Sequence, residues 1–385
     1  MWMSNFPLVK NSEKQNMSGI TMAISIAKPQ IDEEEVAAVT RVLRSGMIAS
    51  GPETREFERE FSNFVGCEYA CAVNNGTSAL SLALLAVGVG PGDEVITSPM
   101  TFVATANSIL SCGATPVFSD IDETTFNLSP SVVKSAITGK TKAIMPVHLY
   151  GHPAEMGEFR RIADEYNLAI IGDAAQAHGA AVASEMVGSL ADVECFSFYP
   201  TKNMTTGEGG MVTTNDEELY SKMNSIRNHG RPDNLLGVYE HDRFGLNLRL
   251  TDIGSAIGRV QLAKLPELNR IRTRNASAMS DLLEGTATII LPTESAGVTH
   301  SWHQYTIRVS DRDGLSGYLK ERDIGCGIYY PRLIQDYPHL EQFRTNCPVA
   351  QQVVQEVISL PIHPGLTLDD IETVAKAVIG FTEGE

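Results

Sequence analysis

The run Ser197-Phe198-Tyr199-Pro200-Thr201-Lys202-Asn203 sets a lysine directly ahead of a glycine-bearing turn, Thr205-Thr206-Gly207-Glu208-Gly209-Gly210. Roughly thirty residues upstream, an apolar stretch from Leu168 to Gly172 ends in Asp173-Ala174-Ala175-Gln176. A lysine amine can form a Schiff base with an aldehyde, and an acid closing a buried strand must be paired or exposed. A protonated ring nitrogen would be a suitable partner for it. Acid, lysine and phosphate-type loop in this order are the parts that pyridoxal 5'-phosphate chemistry needs, with Lys202 as the covalent attachment point and Asp173 keeping the ring an electron sink.

Asn75-Gly76-Thr77-Ser78-Ala79 stands between a strand pattern and a helix pattern carrying Leu80, Leu82 and Leu85. Gly76 lets a ligand approach the backbone, while Thr77 and Ser78 offer hydroxyls and free N–H groups at a helix N-terminus, which is a phosphate seat. The plainer alternative is that Thr77 only caps the helix. Phe102 follows the strand pattern Glu94 to Thr97, at the strand end where α/β sheets bind ligands, and can stack on a pyridine ring or serve as a core phenylalanine. Gln176 is placed to reach a phenolic oxygen of the cofactor. For His178 two readings stand: a hydrogen bond to Asp173, or packing near the turn.

These residues need elements to position them. Asp32 reads as the N-cap of a first helix with Val36, Val39 and Leu43 on one face and Gly46 at its end. A second helical stretch with Phe57, Phe61 and Phe64 leads into the strand Tyr69 to Val73. Short apolar strands then alternate with helix-period segments as far as Gly172, which predicts a mostly parallel sheet covered by helices on both faces. Ala256 to Leu265 is helical, and Leu268 to Leu283, beyond Pro266, reads as a long connecting helix. Three spans are expected: 1–21 as a disordered leader, misassigned start or expression remnant; 22–265 as a large cofactor-binding domain; and 266–385 as a smaller α+β domain.

The 385 residues carry 47 acids against 30 Lys and Arg, a formal charge of −17. That balance speaks against nonspecific nucleic-acid binding and against adhesion to an anionic membrane. No apolar run is long enough to span a bilayer, and the first 21 residues lack a signal-peptide core. The six cysteines form no CxxC pair and no metal-site spacing, so they read as reduced core thiols in a cytoplasmic protein with no metal.

The chain resembles the DegT/DnrJ/EryC1/StrS family of sugar aminotransferases, from about Ile24 to the C-terminus. The resemblance lies in Asn75 to Leu80, Thr101-Phe102-Val103-Ala104, Gly172 to Gly179, Thr201 to Gly210, Leu246-Asn247-Leu248-Arg249-Leu250-Thr251-Asp252 and Ser359 to Gly365. It implies a fold-type-I α/β architecture, with Lys202 bonded to the cofactor, Asp173 on the pyridine nitrogen, Phe102 stacked on the ring and Gln176 on the phenolic oxygen. Gly76, Thr77 and Ser197 would take the phosphate. Asn247 would reach the cofactor phosphate of a neighbouring subunit, so a homodimer with shared sites is expected. One branch of the family carries histidine at the lysine position and dehydrates its substrate; Lys202 places this chain among the transaminases. Tyr329-Tyr330 and Arg332 to Gln335 fall where the sugar pocket is expected. The resulting expectation is transfer of an amino group from L-glutamate to a nucleotide-linked keto-sugar. A keto-inositol aminotransferase and a catalytically silent regulator on the same scaffold are the alternatives.

Overall fold

The computed structural model describes residues 23–232 and 239–384. The leader expected over 1–21 lies outside the described residues. Seven strands form the main sheet: β1 Tyr69–Val73, β2 Glu94–Thr97, β3 Thr115–Phe118, β4 Thr141–Met145, β5 Ala169–Asp173, β6 Val193–Ser197 and β7 Gly210–Thr214. Their order is β1-β7-β6-β5-β4-β2-β3. The pairs from β3 to β6 are parallel, while β7 runs antiparallel to both β6 and β1. The strands are short and apolar because both faces are covered. The helix Gly76–Ala86, with Ala79, Leu80, Leu82, Ala83 and Leu84 buried, packs on one face. Phe57 and Phe61 of the helix Pro52–Val65 meet Phe196 and Phe198 on the other.

A smaller sheet follows, in the order β8 Ile289–Ile290, β9 Tyr305–Val309 and β10 Val357–Leu360, all antiparallel. The helices Arg312–Glu321 and Leu368–Glu383 bury Leu315, Leu319, Ile371 and Val374 against it. The two helical stretches expected on either side of Pro266 are a single helix, Asp252–Leu283. Its early turns pack on the helices Glu33–Ser45 and Pro52–Val65, and its later residues Ala276, Met279 and Leu283 enter the small-sheet core. Asp252 also caps the helix Pro52–Val65, whose own N-cap residue Gly51 has no side chain to offer. Its carboxylate accepts the N–H groups of Gly51 (2.7 Å) and Thr54 (3.0 Å) and the Thr54 hydroxyl (2.7 Å).

The helix Glu33–Ser45 starts in a capping box between Asp32 and Glu35 and ends at left-handed Gly46. Its buried side is Glu35, Ala38 and Val42, with Glu35 taking Lys264 and Gln261. The apolar face read from Val36 and Leu43 points outward instead, at 51% and 54% exposure. Among the described residues no helix is long and apolar enough to cross a membrane.

Candidate active site

A cavity of about 370 Å³ opens at the carboxyl ends of β2, β4, β5 and β6, where a parallel sheet presents its ligand crevice. Lys202, Asp173, Gly76, Thr77, Phe102, Gln176 and Ser197 all line it. Seven of the nine residues singled out from the sequence are thereby brought to one wall, from segments well separated along the chain.

Asp173 closes β5 and is 5% exposed. Its carboxylate accepts the Thr105 hydroxyl (2.8 Å) and the Ala175 N–H (3.3 Å). Thr105 in turn shares a hydroxyl contact of 3.0 Å with Thr101, in the bend just before the helix Ala104–Ser111. Burial pushes the carboxyl upward, against the Thr105 and Ala175 hydrogen bonds and the charges of Lys202 and His148. A buried carboxylate in that position gains from a cation above it, and a protonated pyridine nitrogen supplies one.

Lys202 lies just beyond the turn Tyr199–Thr201, closed by its own N–H to the Tyr199 carbonyl at 2.9 Å. Burial brings its amine down to about 8, with Asp173 opposing the shift. The ammonium is therefore easily made neutral, as a Schiff-base lysine must be. Among the described residues its Nζ has no hydrogen-bond or ion-pair partner.

The phosphate end is the N-terminus of the helix Gly76–Ala86. Asn75 caps it by accepting the Ser78 N–H at 2.8 Å, and Ala79 N–H bonds the Asn75 carbonyl at 3.1 Å. The N–H groups of Gly76 and Thr77 are left pointing out with no acceptor among the described residues. A Cβ at position 76 would lie 2.7 Å from Cβ of Ser197, so only glycine lets the helix end approach that serine. Ser78, expected among the cofactor ligands, is not on the cavity wall, because its N–H serves the cap. Thr77 is on the wall and does not cap; Asn75 does.

Gln176 is fixed in orientation. Its Oε1 accepts the Tyr150 N–H at 2.8 Å, so the amide NH₂ faces the cavity and donates to the Tyr330 hydroxyl at 3.1 Å. One N–H remains for a phenolic oxygen. Phe102 is 55% exposed, with its ring centroid 6.1 Å from that of Tyr330. An exposed phenylalanine on a cavity wall is unfavourable unless a flat partner covers it. Together these features fit pyridoxal phosphate: a donor seat, a buried acid, a bare aromatic face and a lysine of lowered basicity.

His178 does not bond Asp173. Its ring packs 5.4 Å and 5.8 Å from Phe196 and Phe198, neither nitrogen meets a hydrogen-bond partner among the described residues, and burial with the nearby Lys202 charge brings it down to about 3. Asn247 does not line this chain's own cavity. It is exposed and bridges Asn228 in a short antiparallel contact.

The model of the DegT/DnrJ/EryC1/StrS aminotransferase family matches residues 29–379. The chain belongs to that family. It is a pyridoxal-phosphate-dependent transaminase. It is 37% identical to the spore coat polysaccharide biosynthesis protein SpsC of Bacillus subtilis, over 92% of this chain and 96% of that one. Against the dTDP-3-amino-3,4,6-trideoxy-alpha-D-glucose transaminase of Streptomyces venezuelae it is 38% identical, over 94% and 95%. The solved structure of S. venezuelae DesV in complex with a ketimine intermediate superposes with a TM-score of 0.88 at 38% identity, covering 92% of this chain and 95% of that chain. The fold-type-I α/β architecture expected from the motifs is the one these neighbours share.

Three contributors escaped the sequence reading. Thr105 sits four residues after Thr101, in the first turn of the helix Ala104–Ser111, and meets it only because the chain bends before that helix. His303 and Gln304 enter the wall from the segment leading into β9. Tyr330, placed near the sugar pocket by the resemblance, hydrogen-bonds Gln176 across 154 residues of chain, a pairing that no local pattern signals.

Proposed function

We propose that this enzyme transfers the amino group of L-glutamate to a keto-sugar carried by a nucleoside diphosphate. The cavity carries this reading. Its floor takes the cofactor, while its mouth, formed by Tyr199, Gln304, Tyr329 and Tyr330, adds aromatic and amide surface suited to a sugar ring. The Streptomyces relative, by its name, handles a dTDP-linked sugar.

When bound, pyridoxal phosphate supplies the electron sink that makes the donor's Cα acidic. The chain supplies the rest. The N–H groups of Gly76 and Thr77 with the Ser197 hydroxyl would hold the phosphate, and Asp173 would hold a proton on the ring nitrogen. Phe102 and Gln176 fix the ring's plane and rotation. Lys202 Nζ would serve as the base and acid that moves the proton at the donor's Cα, and the same atom would act in reverse with the keto-sugar. Purified enzyme offered glutamate with a panel of nucleotide-linked 3-keto and 4-keto sugars should aminate one of them. Amination of a keto-inositol alone would overturn the reading.

The site also fits a homodimer. Asn247 lies off its own cavity, and Ile31, Val36, Leu43, Met47 and Ile48 form an outward apolar patch around the helix Glu33–Ser45. With Asn247 serving the partner's phosphate, mixing Lys202→Ala chains with Asn247→Ala chains should restore activity. Both lesions fall on one site of the mixed dimer and leave the other whole, so about a quarter of all sites recover after free exchange. No recovery, or a fully active monomer, would refute the shared site.

A further inference from the structure

His303 stands on the cavity wall beside Lys202, yet nothing in the transfer chemistry above uses it. Its tautomer follows from a chain of amides that begins at groups able only to accept. The His178 carbonyl accepts Asn269 Nδ2 at 2.8 Å, so Asn269 Oδ1 must be the acceptor for Asn203 Nδ2, also at 2.8 Å. Asn203 Nδ2 donates a second time, to the Ser301 carbonyl at 2.7 Å. Asn203 is therefore left with only Oδ1 to face His303 Nδ1, at 3.2 Å, and that nitrogen must carry the proton. Burial, with the charges of Lys202 and Arg272 nearby, keeps the ring neutral. Nε2 is consequently a bare lone pair, and among the described residues it has no donor.

The segment holding this ring is pinned on several sides. Ser301 N–H bonds the Gly151 carbonyl at 3.0 Å, and Gln304 N–H bonds the Tyr150 carbonyl at 3.1 Å. Asn203 is the chain neighbour of Lys202, so the amide network ties the ring to the backbone that carries the lysine. A lone pair fixed at that wall, and a lysine amine on a flexible stem with no partner of its own, are complementary.

We propose that His303 is a positioning residue for Lys202, its Nε2 accepting an N–H from the lysine amine while that amine is free of the cofactor. Held from behind, Nζ turns its lone pair into the cavity, toward the carbon whose proton it must move and away from unproductive rotamers. The inference rests on Lys202 being the cofactor lysine, which borohydride reduction and peptide mapping test separately; cofactor found on another lysine would end that reading without bearing on the His303 variants.

Two substitutions separate this role from a merely structural one. In H303N the amide nitrogen can keep the bond to Asn203, while the acceptor at Nε2 is lost. In H303Q the longer amide places an oxygen near Nε2 and gives up the Asn203 bond. We expect H303N to slow both half-reactions, measured in single turnovers, by a similar factor on the order of tenfold, and H303Q to recover most of it. A structural role demands the reverse order. The second readout needs no turnover. In cofactor-free protein, trace acetylation of Lys202, followed by peptide mass, should run about threefold faster at neutral pH in H303N than in wild type or H303Q, because an ammonium stripped of its acceptor gives up its proton more readily. Asp173, His178, Tyr199, Glu208, Arg272, Tyr329 and Tyr330, the other ionisable groups on the cavity wall or beside His303, are the same in all three proteins. Wild-type half-reactions in H303N would overturn the proposal. So would a defect confined to the keto-sugar half-reaction, or slowed turnover with unshifted labelling, since either would assign His303 to the substrate.

Discussion

Asp173 and Tyr330 line the same cavity and are held there by different means. Asp173 ends a strand of the main sheet and leans on Thr105 and Thr101, all inside the 69–214 stretch that builds that sheet. Tyr330 belongs to the segment running from Ile324 toward the helix Pro348–Glu356. It reaches the large sheet through its own contact with Gln176 and through the Tyr150 hydroxyl on the Tyr329 carbonyl. The floor is thus a rigid property of strand ends, whereas the mouth is assembled where two parts of the chain meet. That difference suits a family with one cofactor and many sugars: floor residues answer to a constant ligand, and mouth residues can vary without disturbing it.

The largest test of the comparison is Lys202→Ala. With no amine to be displaced and none to carry the proton, transamination should fall to background while the protein stays folded, checked by circular dichroism and turnover together. Among the described residues no hydrogen bond or ion pair holds the Lys202 amine in the folded structure, so a collapsed fold would contradict its placement on an open wall. Asp173→Asn comes next. The size is kept but the negative charge under the ring nitrogen is gone, and a loss on the order of 10³-fold in kcat/KM is expected. Near wild-type turnover would show that the buried acid does not serve the ring. Thr105→Val tests how far the floor's rigidity extends. It removes the hydroxyl donated to Asp173 at nearly constant shape, leaving the Ala175 N–H as the remaining donor. Losing one hydrogen bond to a buried charge, worth about 1.5–3 kcal/mol, corresponds to roughly ten- to a hundredfold in rate. Thr105→Ser should restore it, and equal damage from Val and Ser would mean that packing, not the hydroxyl, matters there.

The division between floor and mouth also explains what was legible in the sequence. Lys202, Asp173, Gly76 and Phe102, which meet on one cavity wall, could be singled out because each sits at a fixed offset from a strand or helix end, where a short motif records a local geometry. The strands Tyr69–Val73 and Glu94–Thr97 were read with the ends they have, since apolar runs between turn residues leave little choice. Ser78 lies off the cavity wall, and hydroxyl content alone does not say which residue caps the helix; Asn75 took that role one residue before the helix began. The outward face of the helix Glu33–Ser45 was invisible for a different reason. Apolar periodicity says that Val36 and Leu43 share a side, but not whether that side meets this chain or another one. His303 and the Gln176–Tyr330 contact come from segments far down the chain, and pairing across such distances is decided by tertiary packing.

The smallest expected effect lies at the mouth. Tyr330→Phe deletes the hydroxyl that takes the Gln176 amide and leaves the ring in place beside Phe102. Gln176 keeps its anchor to the Tyr150 N–H, so its orientation over the floor persists. One neutral hydrogen bond is lost, about 0.5–1.5 kcal/mol, which corresponds to a few-fold change. Where that change falls is informative. If Tyr330 serves the sugar, the loss should appear as a raised KM for the keto-sugar, with the glutamate half-reaction within about twofold of wild type by single-turnover absorbance. If instead both half-reactions slow together, the Gln176–Tyr330 pair holds the cofactor itself, and the boundary between floor and mouth must be drawn one residue further out, with Tyr330 on the constant side.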